Sequence, residues 1–335
     1  MKKYYVIGLL ILVSGLFAYH FYAANNAETN LDTSIKEITA SVVPALNVSY
    51  SNIDISPFSG DIHFTDLNII RNQDIRRVGS VRFDFSYLDF LNISIFGPEY
   101  GLKRINSGKI RLKQVSLTNR ESLAELKIDS LVVDYRGDLW NLLAAGFKNS
   151  TEATSHIFDA SGTGFIFSRP DILGVFKADT LLFDNNLETN QKDHSVAGNT
   201  SLLGITWNPP QAFRDKYQFF IKGFGYQENS IPFREASAIY GYESETNLLS
   251  INKLELESEL FTGSLSGDIR LDSLSFAESQ IRETSIQVGN LSRQLQNFLS
   301  NAEKLFGVKI PMVENQLSIE VTGTVGKPDF VVLDK

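Results

Sequence analysis

The segment FSGDIHFTDLNI, residues 58–69, contains the pattern on which the fold prediction depends. Its polar pair Thr65-Asp66 separates two alternating apolar couples, Ile62 with Phe64 and Leu67 with Ile69. Side chains alternate between the two faces of a strand, so an offset of three residues would move the second couple to the opposite face. One extra residue, a β-bulge, restores the phase. We therefore predict one long, bulged strand with a continuous apolar face.

The same eight-residue pattern recurs along the chain at hairpin spacing. Further copies lie at 48–55, 110–117, 126–133, 176–183, 249–256 and 269–276. A two-residue hairpin at the polar pair is the alternative to a bulge, but such turns favour glycine and none of the polar pairs contains it. The pattern predicts a mainly β protein with about 15 strands in a long, curved antiparallel sheet, either an open groove or a flattened barrel, with a few short capping helices.

The apolar face of the repeated strands is the candidate binding surface. The same alternation of apolar and polar residues would form either a lipid-lined trough or a filled core, so both interpretations stay open. The predicted lining residues are Ile62, Phe64, Leu67, Ile69, Phe83, Phe85, Ile110, Leu112, Val115, Leu117, Ile269, Leu271, Leu274 and Phe276.

The N-terminal segment Tyr4–Ala24 is predicted to be a transmembrane signal anchor. Its 21 residues include no Lys, Arg, Asp or Glu, a length that crosses a bilayer as a helix. Lys2 and Lys3 precede it, and the positive-inside rule therefore places residue 1 in the cytoplasm and the rest outside. A cleaved signal peptide is the alternative. The anchor residues are Tyr4, Leu9, Leu10, Ile11, Leu12, Phe17 and Tyr22.

Three regions follow from these patterns: a cytoplasmic tip and anchor at 1–24, a linker helix at 25–46 and a β-rich envelope domain at 47–335. An apolar stripe predicts a helix at 290–306, ended by Gly307, which either packs on the sheet or lies on a membrane surface. Strands are also predicted at 101–106 and 217–226, a short helix at 138–147, and a loop at 184–199.

The composition excludes several classes of function. The chain has no Cys, so it has no disulfide or thiolate metal site, and its net charge of −8 disfavours nucleic acid. The four His do not stand at metal-ligand spacing, and neither a nucleophile elbow nor a phosphate-binding loop is present. We expect no metal, no cofactor and no enzyme activity. The absence of Cys at this length favours a bacterial envelope protein.

The chain resembles the AsmA-like family of bacterial envelope proteins. The resemblance lies in NIDISPFSGDIHFTDLNI with VGSVRFDFSYLDFLN near the start, and in IQVGNLSRQLQNFL and LSIEVTGTVGKPDF near the end, with Gly323, Thr324 and Pro328. The N component of type II secretion systems shares the tail pattern. The resemblance implies an anchored, β-rich protein that carries phospholipid between membranes.

The expected location is therefore the bacterial inner membrane, with a single span and the bulk of the chain in the periplasm. The expected partners are membrane lipid, the inner membrane itself and other envelope proteins, with no nucleic acid. A non-enzymatic assembly subunit of an envelope machine, such as a type II secretion system, is the alternative to lipid binding or transfer.

Overall fold

The fold is known from a computed structural model. It describes residues 2–41, 46–84, 86–97, 100, 103–139, 141, 153–190, 193–224, 226, 230–272, 275–307, 309–313 and 316–333, and the side chains of residues 2–12 are not among the described ones.

The described strands form one 15-stranded antiparallel sheet that is not closed, so it is an open sheet and not a flattened barrel. From β3 to β15 each strand pairs with the next one in sequence. The strands are β1 Leu46–Ser49, β2 Asn52–Ile55, β3 Ile62–Arg71, β4 Asp74–Asp84, β5 Ser107–Asn119, β6 Glu125–Arg136, β7 Thr154–Arg169, β8 Gly174–Asn190, β9 Asp193–Asn208, β10 Ile231–Glu243, β11 Leu248–Glu257, β12 Thr262–Arg270, β13 Gln280–Gly289, β14 Leu317–Thr324 and β15 Lys327–Val332.

Four α-helices accompany the sheet in the described part of the chain: α1 Lys2–Ser41, α2 Tyr87–Phe96, α3 Gln211–Gly223 and α4 Arg293–Phe306. The predicted C-terminal helix is confirmed as α4. Ser292 caps its start by accepting a hydrogen bond from the Leu295 N–H, and Gly307 ends it in the left-handed region at φ 65°. Of the predicted 138–147 helix, only Leu139 and Asn141 are helical among described residues, and 140 and 142–147 lie outside them.

The predicted bulge is confirmed in the copy at 249–256, where the register of β11 with β12 shifts between Ile251 and Leu254. Asp66 in β3 and Gln114 in β5 interrupt the alternation with a left-handed φ of 53° and 54°, but the facing strand β4 also skips one residue there, so the register is not shifted. Both strands continue through these positions, so the hairpin alternative is wrong. The copy at 48–55 is divided into β1 and β2, which both pair with β3 and together act as one interrupted strand.

Several rows of apolar side chains cross the sheet from strand to strand. One row beyond the left-handed residues contains Leu67, Val78, Val115 and Ile128. Two further rows run almost the whole width of the sheet. Because directly paired residues share a face, the register defines each row. The upper row is Ile55, Ile62, Phe83, Ile110, Val133, Ala160, Phe183, Thr200, Ala238, Leu254, Leu265, Ile286, Ile319 and Val332. The lower row is Ile53, Phe64, Val81, Leu112, Leu131, Gly162, Leu181, Leu202, Ala236, Leu256, Gly263, Val288 and Leu317.

Several local predictions are wrong. The copy at 269–276 is not a strand, because β12 ends at Arg270 and the Asp272 carboxylate accepts a hydrogen bond from the Ser275 N–H, which turns the chain. Residues 217–223 of the predicted strand at 217–226 form the second half of helix α3. The described residues of the predicted loop at 184–199 belong to the long β8–β9 hairpin. The described residues of 101–106 contain no strand.

The N-terminal helix runs from Lys2 to Ser41, through the predicted anchor and most of the linker predicted at 25–46, and it is fixed to the start of the sheet. Residues 42–45 lie outside the described ones, and Leu46 begins β1. The Ile55 N–H donates to the Glu28 carboxylate at 2.9 Å, and Tyr50 donates to Asp32. Over the residues that the structure describes, no helix combines the length and apolar content needed to cross a membrane.

Candidate apolar groove

The first end of the apolar face is filled. Ala23 and Ala27 of α1, which are 2% and 0% exposed, pack with Ile62 and Phe64 of β3 and with Phe90 of α2. Small side chains on α1 let its backbone approach the sheet and α2 closely. The rows therefore begin in a packed core and not in an open channel.

The middle of the face is also packed. Leu131, Val133 and Leu181 are buried, and all described members of their cluster are strand residues. The packed part of the face therefore extends from the first end of the sheet to its central strands.

The far part of the face is apolar but not filled. Leu254, Leu265, Ile286 and Ile319 of the upper row are half-buried. None of them belongs to the three clusters of buried apolar residues found within the described ranges. The strands β11–β14 thus carry an apolar surface that remains partly open to solvent.

A hydrogen-bonded polar group interrupts the upper edge of the groove at β8–β10. Tyr240 donates to Asn185 Oδ1 at 2.7 Å and lies 3.3 Å from Thr200 Oγ1. Asn185 and Tyr240 stand two residues beyond Phe183 and Ala238 of the upper row, so they lie on the same face as that row. The groove therefore offers polar contacts beside an apolar floor.

The opposite face of the same strands is polar. Arg82 pairs with Asp61 and with Asp84 at 2.9 Å, and Arg111 pairs with Asp84 at 2.8 Å. A cavity of about 320 Å³ near the C-terminus is lined by polar residues of β13 and β14 and by apolar ones that include Ile319 of the upper row, so it adjoins the far end of the groove. Exposed ion pairs add little stability, and their effect is to keep this face in water.

The predicted lining residues fall into distinct environments. Ile62, Phe64 and Val115 are buried, whereas Leu117 is 39% exposed. Phe85 and Leu274 lie outside the described residues, and Phe276 is in a 3₁₀ turn. The half-buried remainder is Leu67, Ile69, Phe83, Ile110, Leu112, Ile269 and Leu271.

The sequence prediction missed the best candidates for an open lining. Leu254 lies in the predicted repeat at 249–256 but is absent from the predicted lining, and Leu265 lies outside the predicted copy at 269–276. The signal that would have found Leu265 is alternation in TGSLSGDIR, the strand β12 itself.

His156 is the one histidine fully buried among the described residues. Its Nδ1 lies 2.8 Å from Tyr135 Oη and its Nε2 lies 2.9 Å from Thr154 Oγ1. Burial lowers the pKa of His156, and burial raises the pKa of Tyr135. A neutral ring, with one nitrogen accepting and the other donating, satisfies both contacts. We interpret this chain of hydrogen bonds as structural.

The predicted anchor residues are placed on α1. Phe17 and Tyr22 are 50% and 69% exposed, and the side chains of Tyr4, Leu9, Leu10, Ile11 and Leu12 lie outside the described set. Where side chains are described, no three His, Asp or Glu residues are grouped as metal ligands. Searches against protein families, curated proteins and solved structures gave no match to this chain.

Proposed function

We propose that this protein is a non-enzymatic, membrane-anchored envelope protein whose apolar β-sheet groove binds or transfers lipid, as in the AsmA-like family. The observation that carries the proposal is the pair of apolar rows, which cross an unclosed sheet and are left unfilled at Leu254, Leu265 and Ile286. The upper row joins 14 residues on successive strands, roughly 60 Å at the usual strand spacing. Acyl chains need only such a lining, because the hydrophobic effect is non-directional.

The exposure of α1 supports an anchor in the inner membrane. Between Val13 and Tyr22 the helix is largely exposed although it is apolar, with Phe21 at 58%. From Ala23 onward it packs on the protein. This change coincides with the end of the uncharged run Tyr4–Ala24, as expected if the exposed part enters lipid. The anchor would hold the groove on the periplasmic side of that membrane.

An assembly subunit is the second candidate, and one edge of the sheet favours it. Strand β15 is the last in the sheet order, and Phe330, Val331 and Val332 are 60%, 52% and 44% exposed. An exposed apolar edge strand can pair with a strand of another protein. In that case the groove would be an interface and would hold no lipid.

Native mass spectrometry of the full chain, extracted from membranes in mild detergent, tests the proposal. We expect adducts with the mass of phospholipid. In the double variant Leu265→Gln/Ile286→Gln, which replaces two paired residues of the upper row, the lipid-bound fraction should fall about tenfold or more, since each lost apolar contact removes well over 1 kcal/mol.

Ser264→Gln is the matched control, because Ser264 neighbours Leu265 on β12 but faces the opposite side. Its lipid-bound fraction should equal that of the wild type. Wild-type protein that carries no lipid, or a double variant that carries as much as the control, would contradict the groove as the binding site.

A further inference from the structure

Helix α2 is apolar on both of its faces. Phe90 and Ile93 are 1% exposed and form part of the first core. On the outward face, Leu88, Ile95 and Phe96 are 70%, 56% and 59% exposed, and their spacing places them in one stripe. A helix that is apolar all round is normally covered on all sides. In the described chain the ring of Tyr100 lies 4.9 Å from that of Phe96, yet all three side chains of the outward stripe stay more than half exposed.

The stripe is uncharged because the only charged residue of α2 is used in its cap. Asp89 accepts from the backbone N–H of Ser86, while the Ser86 hydroxyl accepts from the Asp89 N–H. This capping box satisfies the first turn and holds the Asp89 carboxylate at the helix start. Beyond that turn α2 offers only Leu, Phe, Asn, Ile and Ser side chains.

Helix α2 lies beside the point at which α1 leaves the sheet. The Ser94 hydroxyl donates to the Ala23 carbonyl at 2.9 Å, and Asn26 Nδ2 donates to the Ser94 carbonyl at 2.9 Å. Tyr87 also contacts His20. These contacts fix α2 at the level of residues 20–26, where α1 changes from exposed to buried.

The turn before β3 adds a second exposed apolar group at the same level. Phe58 is 53% exposed, and its ring lies 5.4 Å from that of Phe17 and 6.0 Å from that of Phe21. Tyr19 and Tyr22 of α1 are exposed beside them. Amphipathic aromatic side chains concentrate at the membrane–water interface.

We propose that the outward stripe of α2 and the ring of Phe58 insert into the interfacial zone of the bilayer that α1 enters. This inference rests on the anchor in the proposed function. The bilayer is the occupant because the stripe of α2 and Phe58 lie at the level where α1 becomes exposed, the stripe itself carries no charged residue, and the surface is rich in aromatic residues. The insertion fixes the orientation of the protein on the membrane, because α1 alone would leave the protein free to rotate about the axis of that helix.

Site-directed labelling of the full-length protein tests this inference. The chain has no Cys, so each introduced Cys carries the only label. Nitroxides at Leu88→Cys, Ile95→Cys and Phe96→Cys are examined in phosphatidylethanolamine–phosphatidylglycerol vesicles by collision with oxygen, which partitions into lipid, and with a water-soluble nickel chelate. We expect burial about 5–10 Å deep, with oxygen access exceeding nickel access.

Leu123→Cys and Ile172→Cys are matched controls. Both residues are exposed, at 67% and 54%, and lie in turns at the opposite end of the strands from α2. Their labels should collide mainly with nickel. Phe17→Cys reports on the anchor itself and should collide mainly with oxygen.

The outcomes separate the two proposals. A lipid-exposed label at position 17 with water-exposed labels on α2 would overturn the insertion of α2 and leave the anchor intact. A water-exposed label at position 17 would contradict both. Protection of the α2 labels from both reagents would indicate contact with another protein copy, and would also overturn membrane insertion.

Discussion

The side chain of Asp129 on β6 lies directly against the backbone of Gly164 on β7. A Cβ added at position 164 would come within 2.5 Å of the Asp129 Cγ, and Gly164 has φ of 68°. The arrangement repeats two strands further on, where a Cβ at Gly204, with φ of 63°, would come within 2.9 Å of the Asp179 Cγ. Asp66 and Gln114 continue the same line of left-handed residues. At these positions the alternation of apolar and polar residues shifts by one residue, while the apolar side chains stay on the same face of the sheet.

Replacing Gly164 by Ala should destabilise the protein by about 1–3 kcal/mol, because an L side chain is strained at this φ and meets Asp129. Urea unfolding followed by circular dichroism measures the loss. Gly241→Ala is the control, since a Cβ there meets nothing closer than 3.9 Å and no left-handed φ is present. Adding Asp129→Ala to Gly164→Ala should recover only part of the steric cost, because the Cβ of residue 129 would still lie 2.8 Å from that of residue 164. Equal stability of both glycine variants would contradict the strain.

Replacing Ala238 by Phe should leave stability nearly unchanged but lower the amount of bound lipid. Ala238 is half-buried and pairs with Leu254, where the part of the upper row that stays partly open to solvent begins. Ala160→Phe is the matched change in the same row, but Ala160 is 3% exposed within the second buried cluster. Overpacking there should cost at least about 1–3 kcal/mol. Thermal unfolding compares the two, and equal losses would mean that the far part of the row is filled.

Acidification should weaken the fold through His156. Burial lowers the pKa of His156 below its unfolded value near 6.5. Below about pH 6.5 the His156 side chain therefore binds a proton in the unfolded chain but stays neutral in the folded one. The free energy of unfolding falls as the pH drops below this value. His156→Gln should be less stable at pH 7.5, but the gap to the wild type should narrow by pH 5.5. Urea titrations at both pH values measure this, and a gap that widens on acidification would contradict it.

Replacing Ala27 by a larger residue should disrupt the packing of α1 against the sheet and α2. Ala27 is fully buried in the first core, so Ala27→Leu should cost about 1–3 kcal/mol by overpacking. Thr29→Leu places the same side chain on the exposed side of the helix and should change stability little. Differential scanning calorimetry distinguishes them. Similar melting temperatures would mean that α1 does not pack as described.

The bulged strands were predictable because alternation and its phase change are local properties. The polar pairs Thr65-Asp66 and Lys113-Gln114 predict the position of the left-handed residue, Asp66 or Gln114, to within one residue. The two-row surface followed from the same pattern. What alternation alone left undetermined was filling, which depends on α1 and α2 packing on one end.

The failures have physical causes. Helix α3 was predicted as a strand although Phe213, Tyr217 and Ile221 stand four residues apart, because the aromatic run around them also suits a strand. The end of the β8–β9 hairpin was predicted as a loop because the residues near its tip, such as Asn185 and Asn186, are polar and show no apolar alternation. In the structure their side chains form hydrogen bonds instead. His156 appeared polar in sequence, and only its pairing strand supplies Tyr135.

The strictly sequential pairing from β3 to β15 makes length adjustable. Each strand depends only on its immediate neighbours, so inserting one whole hairpin preserves every existing register and every chain direction. Such an insertion would add about 10 Å to both rows. A single strand could not be added, because it would reverse all that follow. The architecture can thus be scaled in even steps to the distance it must cover.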